Sequence, residues 1–391
     1  MVSTMSQWTD MYRQKLTTPE EAVKLVKSGD WVDYGMATSQ PILLDKALAG
    51  RKEELKDVKV RMSFTFAPRE IISVDPNRET FTAMNWHMSG YDRKMCAQGL
   101  MNFIPMCYRN EPSMYRDILD VDVAMITVAP MDKHGFFNFG LNISANEAIT
   151  KKAKKVIVEV NEAMPRALGG RGEQIHISDV AAIVEAGTIP MPTIPFKTGD
   201  EIDTKIAEMI VKEIPNGATL QLGVGGLPNT VGAMIAESDL KDLGMHTEML
   251  VDAFYLMYKE GRLTNKLKAV DRDKASWAFA LGSQEMYDWI DDNPFLAAYP
   301  VDYVNDPFVI AQLDNFISIN NCVDIDLFGQ IFPPNRRARI TSAAAADSWT
   351  SPDGAYRSRG GKSIIALRST FHNKKTGKDE SRIKPTLLPG T

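Results

Sequence analysis

A glutamate and a glycine-rich loop are the residues of this chain best suited to chemistry. The loop, residues 223–229, reads Gly-Val-Gly-Gly-Leu-Pro-Asn, and Glu248 follows it in the segment His-Thr-Glu-Met-Leu-Val-Asp-Ala-Phe. A carboxylate can attack an acyl carbon, and the backbone N–H groups of such a loop can bind the resulting oxyanion. The pair therefore predicts nucleophilic acyl chemistry.

The same loop also fits part of a dinucleotide-binding fingerprint. Gly223 and Gly225 match the first two glycines of G-x-G-x-x-G, and Glu248 lies at a suitable distance for a carboxylate that binds a ribose. Pro228 replaces the third glycine, which removes an N–H and fills the place where helix and strand should touch. An NAD-dependent oxidoreductase is the alternative enzyme, and a loop that only permits tight packing is the alternative without function.

Composition limits the classes of function. A length of 391 residues favours two domains, and 44% hydrophobic with 24% charged residues is typical of a globular protein in water. The net charge of -5 and pI of about 5.7 give no general attraction to nucleic acid or to an anionic membrane. Any anionic ligand must be bound by local groups.

The cysteines and histidines predict neither a disulfide framework nor a metal site. Three cysteines occur, and no His-x-x-x-His or Cys-x-x-Cys pair is present. No signal-peptide pattern and no apolar stretch of eighteen residues is found. We expect a cytoplasmic protein without a bound metal and without a membrane span.

The order of elements predicts the fold class. A helix, a glycine, a strand, a second glycine and a proline-initiated helix follow one another twice, with strands at residues 31–34 and 219–222. Further strands are predicted at 123–128, 155–160 and 316–327. Alternating strands and helices indicate parallel sheets covered on both faces.

A proline-rich segment, residues 187–195, is the natural linker between the two copies. We predict an α/β protein with two similar, open, mainly parallel α/β domains, residues 1–190 and 191–391, which face each other across an active-site cleft. Ligands of such sheets bind at the carboxyl ends of the strands.

Several motifs together resemble one family. They are VKLVKSGDWVDYG, NWHMSGYDRKM, VAPMDKHGFFNFG, IPNGATLQLGVGGLPN, HTEMLVDAF and FISINNCVDIDLFGQ. In this order they resemble the acetyl-CoA hydrolase and 4-hydroxybutyrate CoA-transferase family, and within it the enzymes that exchange CoA between butyryl-CoA and acetate. The similarity covers residues 8 to 330 and resumes at residue 354.

The resemblance implies a ping-pong transfer of CoA between carboxylic acids by a homo-oligomer, with CoA as a substrate and no cofactor. Glu248 matches the catalytic glutamate, and Asn305 matches an asparagine that orients the substrate carboxylate. Val323 matches an apolar position along CoA. The loop that contacts CoA corresponds to Gly223, Val224, Gly225, Gly226 and Leu227. By itself, the sequence Asn305-Asp306-Pro307 predicts only a turn.

Other residues are weaker candidates. His87, in a turn-rich aromatic segment, could line an acyl pocket, and we assign it to substrate binding. His372 stands where relatives often have a lysine near the CoA phosphates, and Lys374, with Lys375 beside it, is the candidate replacement.

Two departures bear on activity. Relatives have a second loop, Gly-Gly-Gln-x-Asp-Phe, where residues 343–351 of this chain read Ala-Ala-Ala-Ala-Asp-Ser-Trp-Thr-Ser, and the chain ends at Thr391, earlier than relatives do. A loop encoded GGC GGA CAG CTG GAC TTC, shifted by one base, gives residues 346–351 as they stand. We therefore interpret this segment as a frame-shifted form of the family loop. A catalytically impaired acyl-CoA-binding protein is the further alternative.

Overall fold

The computed structural model describes residues 4–332 and 350–387. These residues form two compact units. The first unit takes the described residues of Met1–Met106, Asn110–Thr193 and Tyr287–Asp302. The second takes those of Cys107–Arg109, Ile194–Met286 and Tyr303–Thr391.

Helices and strands alternate along most of the chain. The described helices are α1 Thr4–Lys15, α2 Pro19–Ala22, α3 Leu43–Ala49, α4 Glu70–Ser73, α5 Gly90–Ala97, α6 Glu111–Asp117, α7 Asn146–Lys152, α8 Glu201–Val211, α9 Gly226–Glu237, α10 Asp252–Lys259, α11 Gln284–Ile290, α12 Val301–Val304, α13 Pro307–Ile310 and α14 Thr350–Arg357. Short 3₁₀ turns are Val23–Leu25, Ala37–Ser39, Tyr108–Asn110 and Ile177–Asp179.

The described strands are β1 Trp31–Met36, β2 Val58–Ser63, β3 Phe81–Asn85, β4 Met101–Phe103, β5 Val123–Val128, β6 Phe136–Asn138, β7 Lys155–Asn161, β8 Gln174–His176, β9 Ala182–Gly187, β10 Thr219–Leu222, β11 Gly244–Leu250, β12 Ala275–Ala280, β13 Leu296–Ala298, β14 Phe316–Asn321, β15 Asp324–Asp326, β16 Ile331–Phe332, β17 Lys362–Ala366, β18 Thr370–Asn373, β19 Lys378–Ser381 and β20 Ile383–Lys384.

The first unit is built on a parallel sheet in the order β4-β3-β2-β1-β5-β7-β9. Its interior strand β5 is buried at every position, which is typical of a parallel sheet covered on both faces. Strands β6 and β8 form a separate antiparallel pair. Helix α5 begins with a capping box, because Ser89 and Asp92 each accept a backbone N–H from the other.

In the second unit, five strands pair in parallel in the order β12-β11-β10-β14-β17. Strand β15 pairs with β16 and β20, and β18 with β19 forms a hairpin. In both sheets the strand order reverses beside the strand of the predicted repeat: β1 lies between β2 and β5, and β10 lies between β11 and β14. Such reversal points are where open α/β sheets bind ligands.

The predicted α/β fold with mainly parallel sheets is confirmed. Strands 123–128 and 219–222 were predicted with the bounds that the structure has. The single strand predicted at 316–327 is wrong, because β14 ends at Asn321 and β15 begins at Asp324. Residues 188–200 contain no helix or strand, as expected of a linker. The domain boundary between residues 190 and 191 stays a prediction.

Within the described part of the chain, no helix combines the length and the apolar character that crossing a bilayer requires.

Candidate active site

The glycine loop joins the end of strand β10 to the start of helix α9. Gly225, the residue before the helix, has φ 116° and ψ -178°. Backbone with this φ and extended ψ is essentially restricted to glycine, since a side chain would clash with its own backbone. The loop conformation thus depends on the glycine at this position.

The loop presents several free amides at the amino end of α9. The N–H of Gly223 donates to Ile319 O at 2.9 Å and so belongs to the sheet. Pro228, in the first turn, has no N–H. The N–H of Asn229 donates to Gly225 O at 3.0 Å. The other loop amides have no hydrogen-bond acceptor within the described residues; they belong to Val224, Gly225, Gly226 and Leu227. Free N–H groups at the positive end of a helix dipole form a site for an anion.

A cluster of hydrogen-bonded polar side chains lies beside the first residue of the loop. Gln221 Oε1 accepts hydrogen bonds from Ser318 Oγ at 2.7 Å and from Asn320 Nδ2 at 2.9 Å, and Gln221 Nε2 donates to Asn320 Oδ1 at 3.1 Å. A Cβ on Gly223 would lie 3.1 Å from that Asn320 oxygen. Side chains on β10 and β14 therefore set the position from which the loop starts.

Glu248 lies on β11, next to the strand that leads into the loop. The parallel register pairs Thr219 with Gly244 and Leu220 with Met245. Extended by three residues, this register brings Gly223 level with Glu248, and neighbouring strands lie about 4.8 Å apart. From this register we infer that the carboxylate lies beside the glycine loop, and the catalytic role of Glu248 stays a prediction.

Asn305 contacts Glu248 directly. The Asn305 amide donates from Nδ2 to Glu248 Oε2 at 2.5 Å, and Asn305 is 1% exposed. Burial raises the pKa of the partly buried Glu248 to about 7, while the hydrogen bond from Asn305 acts to lower it. Poor hydration and a raised pKa make the ionised carboxylate a stronger nucleophile than a solvated one, whereas the hydrogen bond from Asn305 engages one oxygen and acts in the opposite direction.

The turn predicted at residues 305–307 is the start of helix α13. Asp306 accepts the Phe308 N–H at 2.8 Å as the N-cap, and Pro307 occupies the first helical turn. This local geometry fixes the backbone that carries Asn305. Its contact with Glu248, 57 residues away in sequence, is not visible in the motif itself.

Val323 follows β14, the strand on the other side of the loop. Its carbonyl accepts from Arg382 Nη1 at 2.9 Å, and the side chain is partly exposed. Residues 322 and 323 separate β14 from β15, which pairs with β16 and β20. Val323 thus lies at the same edge of the sheet as the loop and Glu248, and its role in binding CoA stays a prediction.

Lys374 lies at the tip of the β18–β19 hairpin and is exposed. His372 faces Asp379 across the hairpin, with Nδ1 at 3.0 Å from the carboxylate. The role of Lys374 in binding CoA stays a prediction.

His87 belongs to the first unit, where it is 9% exposed. Its ring lies 4.8 Å from that of Phe64, and its Nδ1 has no hydrogen-bond partner among the described residues. Burial, reinforced by Arg93, lowers the pKa of His87 to about 4, so the ring is neutral at pH 7. Substrate binding by His87 stays a prediction.

Sequence analysis did not single out the polar groups around His87. Buried atoms that lack a hydrogen-bond partner in the described part of the chain occur on Thr38, Gln40, Ser63, Thr65 and Asn85. These residues follow or end strands β1, β2 and β3. Since buried polar atoms are normally paired, this edge of the first sheet is suited to a polar ligand.

The segment predicted to stand in place of the family's second glycine loop spans residues 343–351. Of these, residues 343–349 lie outside the described part of the chain, and residues 350 and 351 begin α14. The described chain resumes with α14, which includes the family-like Gly354-Ala355-Tyr356. Among the described residues, no group of three His, Cys, Asp or Glu side chains has the arrangement of a metal site.

Comparison with known proteins matches two parts of the chain, residues 1–195 and 282–391, to one family. The model of the acetyl-CoA hydrolase/transferase N-terminal domain matches residues 1–195, and that of the C-terminal domain matches residues 282–391. The chain belongs to the acetyl-CoA hydrolase/transferase family. The predicted family and the predicted class of enzyme are confirmed.

Relatives of this family member are CoA-transferases by name. The butyryl-CoA:acetate CoA-transferase of Anaerostipes caccae is 49% identical over 385 residues, which is 97% of this chain and 85% of that protein. A probable butyrate:acetyl-CoA coenzyme A-transferase of Syntrophomonas wolfei is 46% identical over 380 residues, 97% of this chain and 84% of that protein. The crystal structure of RipA from Yersinia pestis has a TM-score of 0.89 at 35% identity, covering 98% of this chain and 87% of RipA.

Proposed function

We propose that this family member transfers CoA from butyryl-CoA to acetate through a thioester on Glu248. The observation that carries the proposal is the placement of a partly buried carboxylate, bonded to Asn305 Nδ2 at 2.5 Å, beside a loop with four free amides. The names of the relatives from Anaerostipes caccae and Syntrophomonas wolfei support butyryl-CoA and acetate as the substrates.

The chemistry consists of two matched halves. The Glu248 carboxylate attacks the butyryl carbonyl, which gives a mixed anhydride and releases CoA thiolate. The thiolate attacks the glutamyl carbonyl, forming the Glu248–CoA thioester and releasing butyrate. Acetate then attacks the thioester, and the returning thiolate takes the acetyl group and regenerates the carboxylate. Electron pairs balance without a redox cofactor.

Each step passes through a tetrahedral oxyanion. The free amides of Val224, Gly225, Gly226 and Leu227 are the donors that can stabilise such a charge, because they are fixed before the reaction begins. Binding of the distant CoA moiety can contribute further stabilisation of these transition states. Asn305 orients the nucleophile, because its hydrogen bond holds one carboxylate oxygen of Glu248 and leaves the other oxygen free to attack.

A mass measurement tests the proposal. After incubation with butyryl-CoA, the protein should gain the mass of one CoA less one water, on the peptide that contains Glu248. Glu248→Gln should give no adduct, whereas Glu237→Gln, an exposed glutamate in the same unit, should give the same adduct as the unchanged chain. An adduct on another residue, or full exchange of labelled acetate by Glu248→Gln, would rule out this role.

The cytoplasmic location and the homo-oligomer expected from the sequence complete the proposal. Sedimentation of the purified chain measures its oligomeric state directly.

A further inference from the structure

The strand that carries Glu248 also carries a buried histidine. His246 lies two residues before Glu248 on β11, so both side chains emerge on the same side of the sheet. His246 is 1% exposed. Its ring nitrogen Nε2 lies 2.7 Å from the carbonyl oxygen of Val304.

Val304 is the neighbour of Asn305, and this adjacency gives His246 a connection to the reaction. Two side chains of one strand hold the last residue of α12 and the residue after it: His246 donates to the Val304 carbonyl, and Glu248 accepts the Asn305 amide at 2.5 Å. Displacement of the Val304 carbonyl would therefore displace the Asn305 amide from the carboxylate.

The surroundings of His246 keep its ring neutral. Burial is the main cause and the positive charge of Lys268 the next, and together they lower the pKa of His246 to about 4. Since an atom 2.7 Å from a carbonyl oxygen must be a donor, the proton of the neutral ring is on Nε2. Nδ1 has no hydrogen-bond partner among the described residues.

Further side chains fix the same region. Lys268 Nζ donates to Met245 O at 2.8 Å and to Ser276 Oγ at 2.9 Å. Asp271 accepts from Ser276 Oγ at 2.8 Å and from Tyr303 Oη at 3.1 Å. Tyr303 precedes Val304, so a continuous hydrogen-bonded path extends from the strand to the residues beside Asn305.

We propose that His246 is a positioning residue for the reaction, which holds the Val304 carbonyl so that Asn305 stays bonded to Glu248. The proposal rests on Glu248 as the nucleophile proposed above. A histidine that merely satisfies a buried carbonyl would stabilise the fold without affecting the ionisation of Glu248. The two roles therefore differ in their effect on the pH dependence.

Two substitutions separate these roles. His246→Leu removes the donor, so Asn305 loosens and kcat should fall about 10- to 100-fold, as expected of a small displacement of a reacting group. The acid limb of the kcat/KM profile should move to higher pH by about one unit, because Glu248 loses the N–H that lowers its pKa. KM for acyl-CoA should change little, since the glycine loop is untouched.

His246→Gln is the rescue variant. Its Nε2 can occupy the place of the imidazole Nε2 and donate to Val304, so kcat and the acid limb should return to near the values of the unchanged chain. Ile235→Val removes a buried methyl group from the same unit and controls for lost stability. If His246→Leu fails to fold, His246→Asn, whose amide is too short to reach Val304, replaces it.

A measurement without substrate tests the role of His246 independently of the transferase activity. The pH dependence of the Tm, compared between each chain and its Glu248→Gln derivative, reports the ionisation of Glu248 in the folded state. In the His246→Leu background this dependence should move to higher pH even if the chain has no transferase activity. An unmoved dependence, or a His246→Gln variant that folds but behaves like His246→Leu, would overturn the positioning role.

Discussion

Replacement of Glu248 by glutamine should stabilise the folded chain at alkaline pH. The neutral amide keeps the shape of the side chain and can still accept the Asn305 N–H, but it does not have to be ionised in a poorly hydrated place. Ionisation of a carboxylate there therefore lowers stability, and the substitution recovers this loss.

The sign and size of the effect follow from the pKa. Burial raises the pKa of Glu248 from 4.5 to about 7 in the folded state. Its contribution to the free energy of unfolding is therefore fully present below pH 4.5 and is lost as pH rises through about 7. At 1.36 kcal/mol for each pKa unit, the loss is at most roughly 3 kcal/mol at pH 8, and the partial exposure of Glu248 reduces it to about 1–3 kcal/mol.

Thermal unfolding at two pH values is the assay. Each kcal/mol moves the Tm by about 2–4 °C for a cooperative unit of about 150–250 residues. Glu248→Gln should raise the Tm by several degrees at pH 8 and leave it nearly unchanged at pH 4.5, where Glu248 is largely protonated. Glu237→Gln, at an exposed position, should show no such difference between the two pH values. An equal Tm for Glu248→Gln and the unchanged chain at pH 8 would refute the argument from burial.

Three further predictions concern other parts of the chain. Gly225→Ala should weaken CoA binding and lower the free energy of unfolding by about 1–3 kcal/mol, because few residues other than glycine adopt this backbone conformation. Gly261→Ala, also at positive φ, is the control and should lower stability without changing KM. Glu111, whose pKa burial raises to about 8, favours folding below pH 4.5 and loses this contribution as pH rises through 8. Glu111→Gln should therefore raise the Tm at pH 9 but not at pH 4.5, and equal shifts would contradict this. Resequencing of the gene should show base slips on both sides of residues 346–351; a clean read with the present codons would remove the frameshift interpretation.

Local sequence determined those elements whose residue types favour one conformation regardless of their tertiary surroundings. Val123–Val128 and Thr219–Leu222 were predicted with their observed bounds, since apolar β-formers bounded by turn residues need only a sheet to join. The glycine loop was equally visible, because the φ of Gly225 and the helix start at Gly226 depend on nearest neighbours.

Burial within these elements was less predictable. Ile202 and Met209 have the spacing of an apolar helix face, yet they are 52% and 61% exposed, whereas Ile210 is 5% exposed. Periodicity indicates that a helix has an apolar face, but the packing of the unit decides which part of that face is covered. Similarly, the strand predicted at 316–327 is two strands, because β14 pairs with β10 and β17 whereas β15 pairs with β16 and β20, which lie later in the chain.

Only the tertiary structure decided how the site works. Sequence and family resemblance indicated Glu248, Asn305 and the loop, but neither showed that Asn305 donates to Glu248 or that His246 holds the residue before Asn305. The Gly223 amide, predicted with the rest of the loop, is committed to the Ile319 carbonyl. Hydrogen bonds between residues far apart in sequence depend on the register of parallel strands and the path of their connections, and local residue patterns do not encode either.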